Sequence, residues 1–93
     1  MSEAEKPRVV ITYCRQCQWL LRAAWMAQEL LTTFGAELGE VAIVPGSGGI
    51  FEVTLGGEVI ASNRDHAPMP DPADVKRAIR DEIAPGKRIG HKP

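Results

Sequence analysis

Apolar positions recur along this chain with two different periods, and the switches between them mark out its elements. The run Arg8-Val9-Val10-Ile11-Thr12-Tyr13 is β-branched and almost continuously apolar, which predicts a first strand covered on both faces. Over residues 18–34 the spacing lengthens to three and four: Leu20, Ala23, Ala27, Leu30, Leu31 and Phe34 form one helical stripe, and Gly35 is the expected stop. Trp19 and Met26 fall on the edge of that stripe, while Trp25 falls on the polar side with Gln18, Arg22 and Glu29. Val41-Ala42-Ile43-Val44 reads as a second strand, and a helical crossover of this length returns it parallel to the first.

A glycine-rich connector, Pro45-Gly46-Ser47-Gly48-Gly49, leads into Ile50-Phe51-Glu52-Val53-Thr54-Leu55. Gly56-Gly57 then joins this strand to Glu58-Val59-Ile60-Ala61-Ser62 as a hairpin, because both turn positions accept positive φ. Residues 63–70 are polar and contain proline, as a loop does. Asp71-Pro72-Ala73-Asp74 combines an N-cap, a proline at the first helical position and an acidic first turn, so a second helix is predicted there. Its inward stripe is Val75, Ala78, Ile79 and Ile83; Lys76, Arg77, Arg80 and Asp81 are expected in water, and Pro85-Gly86 closes it. The reading is one α/β domain over residues 1–93, βαβββα with a four-stranded mixed sheet. It has a flexible N-terminus at 1–7 and a basic tail at 86–93.

Composition narrows the function classes. With 44% hydrophobic and 25% charged residues the chain has ordinary globular usage. Eleven basic against twelve acidic residues leave a formal charge of -1, without the basic excess of a nucleic-acid or anionic-membrane binder. The longest apolar stretch, residues 19–27, is interrupted by Arg22 and is shorter than the roughly 20 residues that span a bilayer. Residues 1–6 contain no apolar secretory segment, so a cytoplasmic, reducing location is expected.

The only two cysteines stand together as Cys14-Arg15-Gln16-Cys17, at the junction of the first strand and the first helix. A bond between them closes too small a loop to restrain the unfolded chain, which makes the pair a poor structural staple. In a reducing compartment such spacing points to redox chemistry or metal binding. A helix start supplies unpaired N–H groups and partial positive charge that favour thiolate, and Arg15 adds a cation nearby. One thiolate attacks an external disulfide and the other resolves the mixed disulfide, leaving a Cys14–Cys17 bond. A structural zinc site needs four ligands, and the other strong candidates, His66 and His91, lie in presumed loops without a recognised spacing. A copper chaperone with this motif would end on a strand, whereas this chain ends on a helix and tail. Gly46, Gly48 and Gly49 lack the Lys-Ser/Thr and the following helix of a phosphate loop, and read as a movable lid or a plain connector. Trp19 reads as core-edge packing or a wall of the redox cleft, Tyr13 as strand packing or a residue shaping access to Cys14, and Trp25 as a packing residue or an anchor for a protein partner.

Several segments together resemble the selenoprotein W-like family in a cysteine-containing form. They are Val10-Ile11-Thr12-Tyr13-Cys14-Arg15-Gln16-Cys17 with its following helix, Gly48-Gly49-Ile50-Phe51-Glu52-Val53, and the Asp-Pro-opened helix with Val75-Lys76-Arg77-Ala78-Ile79-Arg80-Asp81. The resemblance covers most of the chain. It implies a thioredoxin-like fold and thiol redox activity, with Cys14 and Cys17 as the catalytic pair, glutathione or protein thiols as partners and no bound cofactor. It leaves the attacking sulfur open: analogy with thioredoxins puts it on Cys14, whereas relatives with selenocysteine carry selenium at the position of Cys17. Pro45 does not directly precede a strand, so a thioredoxin-style proline clamp is not expected. A noncatalytic interaction module with a redox-regulated switch is the competing expectation.

Overall fold

The computed structural model describes residues 6–89. Its elements run β1 (Arg8–Cys14), α1 (Leu20–Phe34), β2 (Glu40–Gly46), β3 (Phe51–Leu55), β4 (Glu58–Ser62) and α2 (Pro72–Ile83). The sheet order is β2-β1-β3-β4; β2 is parallel to β1, and the two remaining pairings are antiparallel. This is the expected βαβββα order and mixed sheet, with Gly56 (φ 59) and Gly57 (φ 87) making the left-handed hairpin turn. Pro45 lies inside β2, which tolerates it because β2 is an edge strand and not every N–H there is needed for pairing.

The core sits on one side of the sheet. Val9, Ile11 and Tyr13 of β1 and Phe51, Val53 and Leu55 of β3 alternate inward onto Ala23, Met26, Leu30 and Phe34 of α1 and Val75 and Ile79 of α2. The expectation that β1 is covered on both faces is therefore corrected. Val10, Thr12, Glu52 and Thr54 are only half-buried, and Val44 and Val59 are exposed. Across the strands Thr12 stands opposite Val44 and Glu52, and Val10 opposite Ala42 and Thr54. The reason is coverage: four strands about 4.8 Å apart need two helices about 10 Å wide on one face, and the described residues hold no third α-helix for the other.

Helix packing also rotates the α1 stripe. Leu20 and Leu31, expected inside, are exposed, and Met26 is fully buried. The helix packs against α2 as well as the sheet, so its buried arc turns toward Met26 and away from Leu20 and Leu31. Gly35 is right-handed (φ -56) rather than a left-handed cap, and an added Cβ there would lie 2.8 Å from the Leu31 carbonyl oxygen.

On α2 the sequence pattern holds for Val75 and Ile79 and fails for Lys76. Lys76 is 5% exposed, its Nζ 2.7 Å from Glu29 Oε1, so an ion pair joins the two helices where a solvated lysine was expected. Burial of the charge is tolerable because a carboxylate meets it. Lys87 likewise pairs with Glu37 at 3.0 Å and Ile89 packs on the core, so the start of the expected basic tail is bound to the domain. Lys92 and His91 lie outside the described residues.

The α2 start forms as the sequence indicates, the Asp71 carboxylate accepting from the Ala73 N–H at 3.0 Å ahead of Pro72. Asp71→Ala is expected to cost about 1 kcal/mol. In a domain of this size that lowers Tm by about 4–8 °C, measurable by thermal unfolding.

Candidate functional site

The parallel pairing of β1 with β2 ends at the first cysteine, and the antiparallel pairing with β3 ends one residue before it, at Tyr13. Cys14 is the last residue of β1 and faces Gly46 across the parallel pairing. Its N–H donates to the Ile50 carbonyl at 2.8 Å, and the next N–H, of Arg15, donates to the Gly46 carbonyl at 3.1 Å. Both ends of the glycine-rich connector are thereby bonded to the start of the cysteine motif. Gly46 is required there by close approach, since a Cβ would lie 2.9 Å from Thr12 Cγ2 and 3.0 Å from Ile50 Cγ2. Gly48 and Gly49 take φ of 72 and 78, which favours glycine.

A turn over residues 15–18 comes next, closed by the Gln18 N–H to the Arg15 carbonyl at 3.0 Å, with Gln18 itself left-handed at φ 60. The helix begins only at Leu20, with Trp19 as its cap residue and no side-chain cap bond. The pair therefore precedes the helix rather than occupying its first turn. The left-handed step at Gln18 is what separates them, and the influence of the helix N-terminus falls off beyond the first turn.

Within that turn the sulfurs of Cys14 and Cys17 form a disulfide, with Cα atoms 5.3 Å apart. The two cysteines differ sharply in exposure: Cys14 is 1% exposed, while Cys17 is an exposed turn residue. The Cys17 N–H also donates to Cys14 Sγ at 3.2 Å. That hydrogen bond reaches the buried sulfur from the backbone of the exposed cysteine. Trp19 stacks edge-on against Phe51 with ring centres 6.3 Å apart, and Tyr13 is buried in the core, so both are packing residues as expected. Trp25 is 51% exposed, and His66 is exposed in a short 3-10 turn, Arg64–His66, after β4. Among the described residues no group of three or more His, Cys, Asp or Glu side chains could hold a metal ion. No described helix is long and apolar enough to cross a membrane.

One positioning residue escaped sequence reasoning. Asn63 Oδ1 accepts from the Phe51 N–H at 2.9 Å and its Nδ2 donates to the Gly49 carbonyl at 2.8 Å, so its side chain grips the backbone on both sides of Ile50. The Ile50 carbonyl is the group that holds the Cys14 N–H. A neighbouring cluster braces the same corner: Arg64 Nε lies 2.6 Å from Glu52 Oε2, which also accepts from the Ser62 hydroxyl at 3.0 Å. Beside it on the open face of the sheet is a cleft of about 440 Å³ lined by Thr12, the glycine connector, Asn63, Arg64 and Asp65.

Asn63→Ala removes two side-chain bonds and is expected to cost about 2 kcal/mol, whereas Asn63→Asp, which keeps only the acceptor, should cost less; chemical denaturation checks the order. The Arg64 hydrogen bond, with a smaller contribution from the Ser62 hydroxyl, holds the Glu52 carboxyl below its ordinary pKa despite some opposing burial. A carboxyl depressed in the folded state stabilises it above the ordinary carboxylate range and loses that contribution as pH falls through the folded value. The Tm difference between wild type and Glu52→Gln should therefore shrink between neutral pH and about pH 3.

Comparison with known proteins agrees with this architecture. The family model described as the Rdx family matches residues 8–81. A crystal structure of a protein from Bordetella parapertussis is 52% identical and superposes with a TM-score of 0.81, covering 85% of this chain and 100% of that one. A selenoprotein W-related protein from Vibrio cholerae is 42% identical with a TM-score of 0.79, covering 85% of this chain and 99% of that one. None of the curated proteins matches. With its fold, its cysteine turn and these relatives in agreement, the chain belongs to the Rdx family of selenoprotein W-related, thioredoxin-like proteins.

Proposed function

We propose that the protein is a thiol–disulfide oxidoreductase in which Cys17 makes the bond to the partner and Cys14 resolves it. The observation that carries this reading is the difference between an exposed Cys17 and a Cys14 that is 1% exposed and receives the Cys17 N–H. In the reduced protein the Cys17 thiolate attacks a partner disulfide. An S–S bond forms between Cys17 and one partner sulfur, and the other partner sulfur leaves as thiolate and takes a proton from water. Cys14 thiolate then attacks Cys17 Sγ, forming the internal disulfide and releasing the second partner sulfur. The partner gains two electrons and the Cys14/Cys17 dithiol loses them.

Run in reverse, an external thiolate attacks the exposed Cys17 sulfur and Cys14 leaves. The amide hydrogen bond then stabilises the departing charge on the right atom. Selenium at the position of Cys17 in selenocysteine-bearing relatives is consistent with this order. Partners are glutathione or protein thiols in a reducing, cytoplasmic compartment, with no cofactor required.

Equilibration in graded glutathione buffers, followed by thiol counting by mass, should show a reversible loss of two thiol hydrogens; absence of that species removes the cycle. Cys14→Ser, which keeps the attacking thiol, is expected to accumulate a mixed disulfide with glutathione. Cys17→Ser should form it at least about tenfold more slowly, because only the buried thiol remains. The opposite ranking would exchange the two roles.

A further inference from the structure

Helix α1 buries the side that faces the sheet and α2, and part of the side turned to solvent is apolar. Leu20 is 51% exposed, Leu21 83%, Trp25 51% and Leu31 46%. At about 100° per residue these four, with Ala24, Gln28 and Thr32 between them, fall within an arc of about 140°. The charged residues of the helix, Arg22 and Glu29, both fall outside that arc, and Glu29 is engaged with Lys76. Four large apolar side chains exposed in one strip of the helix face, interrupted only by the uncharged Gln28 and Thr32, suit a surface that another molecule covers.

Where the strip begins and how long it is identify the occupant. The turn bearing the exposed Cys17 runs directly into its N-terminal end, and the three residues from Cys17 to Leu20 span at most about 11 Å. Any molecule in disulfide exchange at Cys17 is therefore beside Leu20 and Leu21. From Leu20 to Leu31 the helix extends about 16 Å further. A tripeptide such as glutathione, at most about 10 Å long, cannot bond to Cys17 and also cover this length. A protein surface can, because an ordinary interface covers about 800 Å² on each partner.

We infer that the exposed face of α1 is the docking surface for a protein substrate whose exchanging cysteine lies beside an uncharged, apolar segment. This rests on the proposed redox cycle and adds the partner class to it. The partner disulfide is reduced to two thiols and the Cys14/Cys17 dithiol oxidised to its disulfide, as in that cycle. The strip holds the partner while the sulfurs exchange, whereas glutathione at Cys17 meets only its first turn, at Leu20 and Leu21, and leaves Trp25 and Leu31 uncovered.

The test compares initial rates at which the reduced protein reduces three disulfides. One is glutathione disulfide. The others are the symmetric disulfides of two peptides about 12 residues long, enough to lie along the strip, with leucine and phenylalanine or with serine and glutamine flanking the single cysteine. Wild type is expected to reduce the apolar peptide about tenfold faster than the polar one. The Trp25→Ser/Leu31→Ser variant, both changes being at exposed positions beyond the helix's first turn, should lose that preference and keep its glutathione disulfide rate within about twofold. Equal peptide rates in wild type, or a preference that survives in the variant, would overturn the docking surface while leaving the redox cycle standing. Inactivity of wild type toward all three would instead overturn the redox reading and the docking surface with it. Sedimentation supplies the last arm: a dimer of wild type that the variant abolishes would assign the strip to a second copy and overturn the inference, whereas a monomeric wild type with the peptide preference supports it.

Discussion

The point at which β1 stops sets the character of both sulfurs. Its last residue is Cys14, held on one side by the Ile50 carbonyl, while the Gly46 carbonyl takes the N–H of Arg15. Those two bonds fix the start of the cysteine motif to the sheet and leave its second half to a turn. The left-handed step at Gln18 then redirects the chain into α1. One sulfur thereby belongs to the buried end of a strand and the other to an exposed turn, although only two residues separate them. Burial, the amide hydrogen bond and the proposed division of roles between the sulfurs all derive from that placement.

The same economy shapes the surfaces. Two helices cover one face of a four-stranded sheet, so the outer face stays open and the outer side of α1 has no partner within the described residues. Helix α1 is fastened by its core side chains and by the Glu29 pairing with Lys76 on α2. Neither fastening uses Leu20, Leu21 or Trp25. The faces that these layers leave bare are the surfaces open to a partner in the proposed cycle.

Much of this architecture was legible from residue order, for identifiable reasons. Gly56-Gly57 announced the hairpin because a tight turn requires positive φ at two successive positions, and Asp71-Pro72 announced α2 because cap and proline act locally. The cysteine motif could be placed after β1 because the period changes there. What remained hidden depends on contacts distant in sequence. Lys76 has its partner 47 residues away on another helix, so nothing near it signals burial. Asn63 acts on backbone groups at Gly49 and Phe51, and backbone partners leave no mark in a sequence. Leu20 and Leu31 satisfy a helical stripe as well as Met26 does; only the position of α2 decides which of them is inside. The start of α1 was misplaced because a single left-handed residue, Gln18, interrupts a run whose apolar spacing already looks helical.

Limited alkylation measures the asymmetry of the two sulfurs, on which the redox cycle and the docking surface both depend, most directly. Fully reduced wild-type protein is treated with substoichiometric iodoacetamide, quenched at intervals and mapped by peptide mass. The structure predicts that Cys17 is labelled first, at least about tenfold faster than Cys14, because access governs thiol reaction when one sulfur is buried. Labelling of Cys14 first, or of both at equal rates, would contradict it.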